Sequence, residues 1–418
     1  MAARTSRPRK GILSMGGMII SRSIQTRGLS RSKNNGNNYK YYCLTGFFMM
    51  RATTILFGLI LLFSCSDSKK EAIFITTDLT DYIVDTLYLE KDTLTRSLPQ
   101  GFTFLEQNGK SFLFGVIGRR MYQYSYPSGK LEGTIDFEIE GPDGIGGFVS
   151  GGLVTEDGIF FISDQKAIVH TDFHGKVLDR FPLPNVPEER LAVNFSVVNG
   201  NRMHYDKEKR QLILSDVPFV LKEPNMAYED WVWRYDLKNG IANPVSFSYP
   251  EIYSAYYDDP ELGLYSHIFL DIENLHLVSF PVTDSLLVMD GKSSKWINSK
   301  SSVPLVFQKG RTEQRGEYMV FSPSMETSRY KWVIFEPMSQ LLLRYVDIET
   351  KILESGRVQN KSSFILHKLD FETVGELFFD NRQIAPSGFA TPDGFYFKLL
   401  SPSSDDVEEY VRIRVVLE

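Results

Sequence analysis

One short pattern recurs along this chain: an apolar strand, a tight turn led by aspartate, and a second strand. It is seen first at Ala167-Ile168-Val169-His170-Thr171, then Asp172-Phe173-His174-Gly175-Lys176, then Val177-Leu178-Asp179-Arg180-Phe181. It returns around Asp236, Asp290 and Asp370. β-Branched and aromatic residues suit a pleated, half-buried surface. An aspartate carboxylate accepts hydrogen bonds from amides two residues on, and glycine takes the positive φ that a tight reversal needs. Each unit therefore reads as an antiparallel hairpin. Long amphipathic helical patterns are absent from residue 73 onward, so an all-β fold with almost no helix is expected.

The hairpins repeat on a loose period. Gly152-Leu153-Val154-Thr155-Glu156-Asp157-Gly158-Ile159-Phe160-Phe161 matches Gly388-Phe389-Ala390-Thr391-Pro392-Asp393-Gly394-Phe395-Tyr396-Phe397, 236 residues later. That offset is four periods of 59, and the 354 residues from Cys65 onward hold six. The turn aspartates Asp172, Asp236, Asp290 and Asp370 are spaced by 64, 54 and 80, as loop insertions would produce. Short antiparallel sheets repeated radially protect their edges. The expected fold is a six-bladed β-propeller over 73–418, with seven blades as the nearest alternative and a pair of β-sandwiches as a different one. The runs 81–89 and 410–417 are expected to share one blade and clasp the ring.

The start of the chain indicates where it works. Residues 55–63 form a short apolar run, preceded by Arg51 and followed by Ser64-Cys65 and the polar string Ser66-Asp67-Ser68-Lys69-Lys70. This is shorter than the roughly 20 apolar residues of a spanning helix. It resembles the lipobox of bacterial lipoproteins, although Phe63 is bulkier than the residue common there. The resemblance implies cleavage before Cys65, lipid on its thiol, and residence in the outer membrane, facing the periplasm or the cell surface. Residues 1–48 carry nine basic residues and no acidic one. They read as a leader outside the fold, with translation starting at Met49 or Met50, although a transit peptide or a nucleic-acid-binding tail shares that composition. Residues 49–64 are then the signal peptide and 65–72 the tether.

From Cys65 onward 36 basic residues face 52 acidic ones, a formal net charge of −16. Such a surface repels nucleic-acid phosphates, so no nucleic-acid partner is expected. The only cysteines are Cys43 and Cys65, so the domain is expected to lack disulfides and cysteine-bound zinc.

The lipobox, tether and bladed pattern together resemble uncharacterised propeller lipoproteins of Bacteroidota. Phe321-Ser322-Pro323-Ser324-Met325-Glu326-Thr327-Ser328-Arg329-Tyr330 and Thr391-Pro392-Asp393-Gly394 carry the resemblance. It covers about residues 65–418 and implies a fold and an address but no activity.

Motifs for chemistry are scarce. There is no Gly-x-Ser-x-Gly, His-Glu-x-x-His or phosphate-binding loop, and no cofactor is expected. Gly141-Pro142-Asp143-Gly144-Ile145-Gly146-Gly147 reads as a connection between blades near the channel. His170 and His174 straddle a hairpin and read as blade-edge residues rather than metal ligands. Two segments interleave rings and carboxylates without period, around Tyr228 and Trp231 and around Tyr253, Tyr256 and Tyr257. Such surfaces stack on sugars or peptides, though packing between blades uses the same residues. Arg311, Arg315 and Arg329 read either as receivers of an anionic group or as salt-bridging surface residues. The candidate ligand-binding set is Tyr228, Trp231, Tyr253, Tyr256, Tyr257 and Arg329. The leading functional expectation is a non-catalytic binding module on the envelope for a peptide, protein or glycan. The alternatives are a glycan- or peptide-processing hydrolase with a distributed acidic site at the channel, and a structural component of the envelope.

Overall fold

The turns led by Asp172, Asp236, Asp290 and Asp370 each close the outermost hairpin of a different blade. Asp236 Oδ1 accepts from the amides of Lys238 (2.8 Å) and Asn239 (3.2 Å), and Asp290 Oδ1 from Lys292 and Ser293, both at 2.7 Å. In this computed structural model the described residues are 74–415, except 165, 187–199, 219, 317 and 353–357. Residues 1–73, which include the expected leader, signal peptide and tether with Cys65, lie outside them. Residues 70–418 form one compact unit by themselves.

Six blades follow one another. The first four are Thr103–Gln107 to Leu131–Asp136, Val149–Thr155 to Val177–Pro182, His204–Asp206 to Ile241–Ser246, and Ser266–Leu270 to Ser294–Asn298, each of four consecutive strands. The fifth comprises Arg329–Glu336, Leu341–Asp347, Ser362–His367 and Thr373–Phe379, with Ile75–Asp78 added in parallel outside. The sixth comprises Ile384–Thr391, Gly394–Leu399 and Val407–Ile413, completed by Ile83–Glu90 from the other end of the chain. Thr86 faces Val411 in that antiparallel closure. The expected clasp is therefore present, and the N-terminal segment serves two blades rather than one. No α-helix occurs among the described residues, only 3₁₀ turns.

The matched decapeptides are the innermost hairpins of blades two and six, four blades apart. Both turns are closed in the same way: Thr155 Oγ1 donates to the Gly158 carbonyl (3.0 Å), and Thr391 Oγ1 to that of Gly394 (3.4 Å). Gly158 has φ +129° and Gly394 φ +139°, which L side chains rarely adopt.

Hydrophobic cores lie between blades rather than within them. Leu153, Phe160 and Ile162 of blade two pack on Leu212, Leu214 and Trp233 of blade three. Equivalent clusters occupy every other junction, including the one that closes the ring, where Leu89 and Tyr410 meet Leu113 and Tyr124. A single blade buries neither of its faces alone, so the ring folds as a set.

Because strands alternate in direction, the connections sort to two faces. One carries the turns between the first and second and between the third and fourth strands, including all four aspartate-led ones. The other carries the turns between the second and third strands, such as Gly118-Arg119, and the long connections 137–148, 247–265 and 299–328. The glycine-rich run 141–147 lies in the first of these, where Arg180 Nη2 donates to the Gly144 carbonyl (2.6 Å) and Asp143 Oδ1 accepts from the Val177 amide (2.9 Å).

Candidate functional site: the central channel

The innermost strands of the blades converge on a channel. A cavity of about 550 Å³ occupies it, lined by residues from all six blades or the segments that lead into them. That is a volume suited to a small molecule. Its wall is largely apolar: half-buried Val116, Ile268, Trp332, Ile334 and Phe335 face it, the rings of Phe102, Phe114, Phe389 and Phe395 are buried behind it, and Phe148, 69% exposed, stands at the rim toward the long connections. Gly152 and Gly388 also line it, each beside a bulge in its inner strand.

Among the described lining residues there is no aspartate or glutamate, and the one with a fixed charge is Arg202. Its Nη2 donates to Thr103 Oγ1 (3.1 Å), reaching from the third blade toward the first. No described carboxylate pairs with it. The side chain is exposed to the channel, yet the surrounding protein withdraws enough solvent to pull the guanidinium below its ordinary value. A second cavity of about 390 Å³ lies beyond it, toward the face of the aspartate-led turns. The two share Thr103, Val154, Arg202 and Ile268, so the two chambers adjoin where Arg202 meets Thr103. Charges in the second chamber are already matched: Lys207 pairs with Glu156, and the Tyr205 hydroxyl donates to Asp157 (2.8 Å).

Arg202 stands on a fixed support. The His267 amide donates to the Gly200 carbonyl (2.6 Å) and to Asn201 Oδ1 (2.9 Å), and Asn201 Nδ2 donates to the Tyr265 carbonyl (3.3 Å). Gly200 has φ +71°, and a Cβ there would come within 2.9 Å of Trp332 Cβ. Only glycine lets the segment approach the opposite wall so closely.

A buried polar line runs beside the channel between blades three and four. Arg234 Nη2 lies 2.6 Å from His276 Nε2, His276 Nδ1 2.9 Å from His267 Nε2, and His267 Nδ1 2.8 Å from Ser215 Oγ. Guanidinium only donates, so His276 Nε2 accepts and its proton sits on Nδ1. His267 Nε2 then accepts in turn, and its Nδ1–H donates to Ser215. Burial holds His267 well below its usual range and pulls His276 down to about 3, so both rings are neutral. The ring nitrogen beside Ser215 is thus a donor, not the base that a serine nucleophile requires. The line pins two blades together. Among the described residues, no group of three or more His, Cys, Asp or Glu side chains is arranged to hold a metal ion.

The residues singled out in sequence lie elsewhere. Tyr228, Trp231, Tyr253 and Tyr256 gather in one cluster between blades three and four. Trp231 and Tyr253 are fully buried; the Trp231 indole donates to the Tyr228 carbonyl (2.8 Å), and the Tyr253 hydroxyl accepts from the Val282 amide (3.0 Å). Neither presents a ring to a ligand, which corrects the reading of that pair as a recognition surface. Tyr256 and Tyr257 are half-buried, the latter beneath Lys309 Nζ at 5.0 Å. Arg329 is bound by Glu261 and by Asp347 (2.8 Å), so its charge is already matched. None of the six lines the channel. His170 stacks on Phe160 with centroids 4.2 Å apart, as a blade residue. The distributed acidic site expected at the channel finds no carboxylate among the described lining residues. Arg202 escaped notice because the inner strand it leads into, His204–Asp206, has three residues and no visible alternation. The signal that was available is the Gly200-Asn201 turn pair just ahead of it.

Fold and cavity together define a six-bladed propeller with a ligand-sized central channel. The chain belongs to the DUF4221 family, a domain of unknown function, which matches residues 76–376. A crystal structure of a DUF4221 member from Bacteroides vulgatus is similar at a TM-score of 0.60 and 16% identity, over 79% of this chain and 97% of that one. A putative exported protein from Bacteroides fragilis is similar at 0.48 and 11% identity, over 82% and 100%. No curated protein matches the chain.

Proposed function

We propose that this protein is a non-catalytic binding module, held on the bacterial envelope by lipid on Cys65, that takes its ligand into the larger chamber of the propeller channel. The observation that carries the reading is the chamber itself: about 550 Å³, walled largely by apolar side chains, with one cation and no described carboxylate. Hydrolysis of glycans by the common route needs two facing carboxylic groups. Hydrolysis through a serine needs a base beside it, and His267 donates to Ser215 instead. What remains well supported is capture. The apolar run before Cys65 supports the anchoring, and the acidic surface sets nucleic acids aside as partners.

A binding screen tests the proposal. Residues 70–418, the compact unit, would be titrated with glycans, peptides and small amphiphiles, with hydrolysis assayed on every hit. Saturable binding that is lost when Ile268→Trp, at a half-buried lining position, narrows the chamber, without turnover, is the expected result. Turnover of any bound compound, or binding indifferent to that variant, would overturn it.

A further inference from the structure

We infer that Arg202 is the anchor for a small amphiphilic carboxylate whose apolar body fills the larger chamber. The inference rests on the channel being the binding site and adds the chemical class of the ligand.

Three observations converge. The first is charge. A guanidinium has five N–H donors, and among the described residues one is engaged here, with Thr103 Oγ1 at 3.1 Å. Keeping a cation in a confined site without a counterion is costly, and the lowered pKa of Arg202 is the electrostatic sign of that cost. A carboxylate accepts two parallel N–H bonds from such a fork and offsets it. Because the described lining offers one fixed positive charge, a monoanion balances it. A dianionic phosphate would leave a net charge among largely apolar walls.

The second is shape. Trp332, Ile334, Phe335 and Ile268 present half-buried apolar surface to the chamber, so most of its exposed side-chain wall is hydrocarbon. An alkyl or aryl body therefore suits the chamber better than a sugar. The exposed Phe148 at the rim continues the apolar path outward.

The third is rigidity. Gly200 and Asn201 are fastened to the inner strand of blade four on both sides, so Arg202 is presented from a preformed support. Preorganisation of this kind lowers the cost of binding. In the second chamber Lys207 and Glu156 satisfy each other, which leaves Arg202 as the charge in search of a partner.

The test uses residues 70–418 and two matched pairs: decanoate against decan-1-ol, and 3-phenylpropanoate against 3-phenylpropan-1-ol. The alkyl and aryl arms distinguish a flexible chain from a ring as the body. Titration calorimetry is expected to show at least one carboxylate binding tenfold or more tighter than its alcohol. Arg202→Met should abolish that preference and leave alcohol affinity within threefold, with circular dichroism confirming the fold. Arg202→Lys should keep part of the preference, and it stands in if the methionine variant does not fold. Equal affinity for acid and alcohol, or a preference that survives Arg202→Met, would sink the inference while leaving the channel as a binding site. If neither pair binds but another compound fills the chamber, the inference likewise falls. If nothing enters the chamber at all, the functional reading falls with it.

Discussion

His267 Nε2 and His276 Nδ1 lie 2.9 Å apart, both rings buried and both neutral. Burial depresses both pKa values, with Arg234 and His204 adding to it at His276, and His276 itself adding to it at His267. A histidine whose folded pKa lies below its unfolded value of about 6.5 favours the native state fully above that value. The contribution fades as pH falls, over the window from 6.5 down to about 3 for His276. Each histidine then costs roughly 1 kcal/mol per unit of pH below 6.5. Thermal melts between pH 7.5 and 4.5 should show a falling Tm. His276→Gln, which still accepts from Arg234 but does not titrate, should be less stable at pH 7.5 and flatter across the range. A variant as steep as the wild type would show that the acid sensitivity arises elsewhere.

Arg344 ties blade four to blade five without any carboxylate. Its guanidinium is fully buried and donates to Ser279 Oγ (3.0 Å) and to the carbonyls of Ser299 (2.9 Å) and Thr283 (2.8 Å), and it lies 3.9 Å from the Tyr330 ring. Desolvation pulls it down to about 9. Arg344→Met would strand those carbonyls and is expected to cost about 3 kcal/mol in urea unfolding. Arg344→Lys keeps the buried charge with fewer donors and should be no more stable than the methionine variant. A fully stable lysine variant would contradict this account.

Ring closure can be weakened at one atom. Gly129, φ +71°, sits against the closing strand, and a Cβ there would overlap the Tyr88 carbonyl oxygen. The Glu90 amide donates to the Gly129 carbonyl (3.2 Å), and the Tyr124 hydroxyl to the Glu90 carbonyl (2.8 Å). Gly129→Ala adds left-handed strain of about 1 kcal/mol to that clash. Faster hydrogen exchange in 86–90 than in the inner strands is the expected result. Uniform change across all blades would mean that the closure is not the weak point.

Anchoring gives a separate expectation. Under the proposed lipidation, protein extracted from membranes should begin at Cys65 and carry acyl mass, and Cys65→Ser should leave the membrane fraction. An unmodified Cys65 in membrane-bound protein would refute it.

The outer hairpins were legible because their turns are local. An aspartate, a glycine and two amides within five residues specify the reversal, wherever the blade stands. Closure was legible for a related reason, since the run 410–417 alternates and needs a partner; the strand that pairs is Val407–Ile413. The channel was not legible. Gly200 with Arg202, Trp332 and Gly388 come from three separate stretches, and only the ring brings them together. The aromatic segments misled because packing and recognition use the same rings. Burial alone distinguishes them, and burial depends on which blade lies alongside.

Trp231 and Trp332 therefore make a paired test. Trp231 is fully buried, with Tyr249 at 5.2 Å and Tyr265 at 5.8 Å between ring centroids, in the core between blades three and four. Trp332 packs on Tyr345 at 4.9 Å, donates from Nε1 to the Pro386 carbonyl (3.1 Å) and lines the chamber. Trp231→Ala opens a cavity and should cost roughly 3–5 kcal/mol of stability. Ligand affinity of the folded fraction should not change, because no part of Trp231 lines the channel. Trp332→Ala should cost less stability, since its ring is only partly buried, and should weaken ligand binding about tenfold through loss of wall contact. Urea unfolding and calorimetric titration on both variants read the two effects separately. If Trp231→Ala were the variant that loses affinity, the ligand would be meeting the long-connection face instead, and the channel would be only a packing feature of the ring.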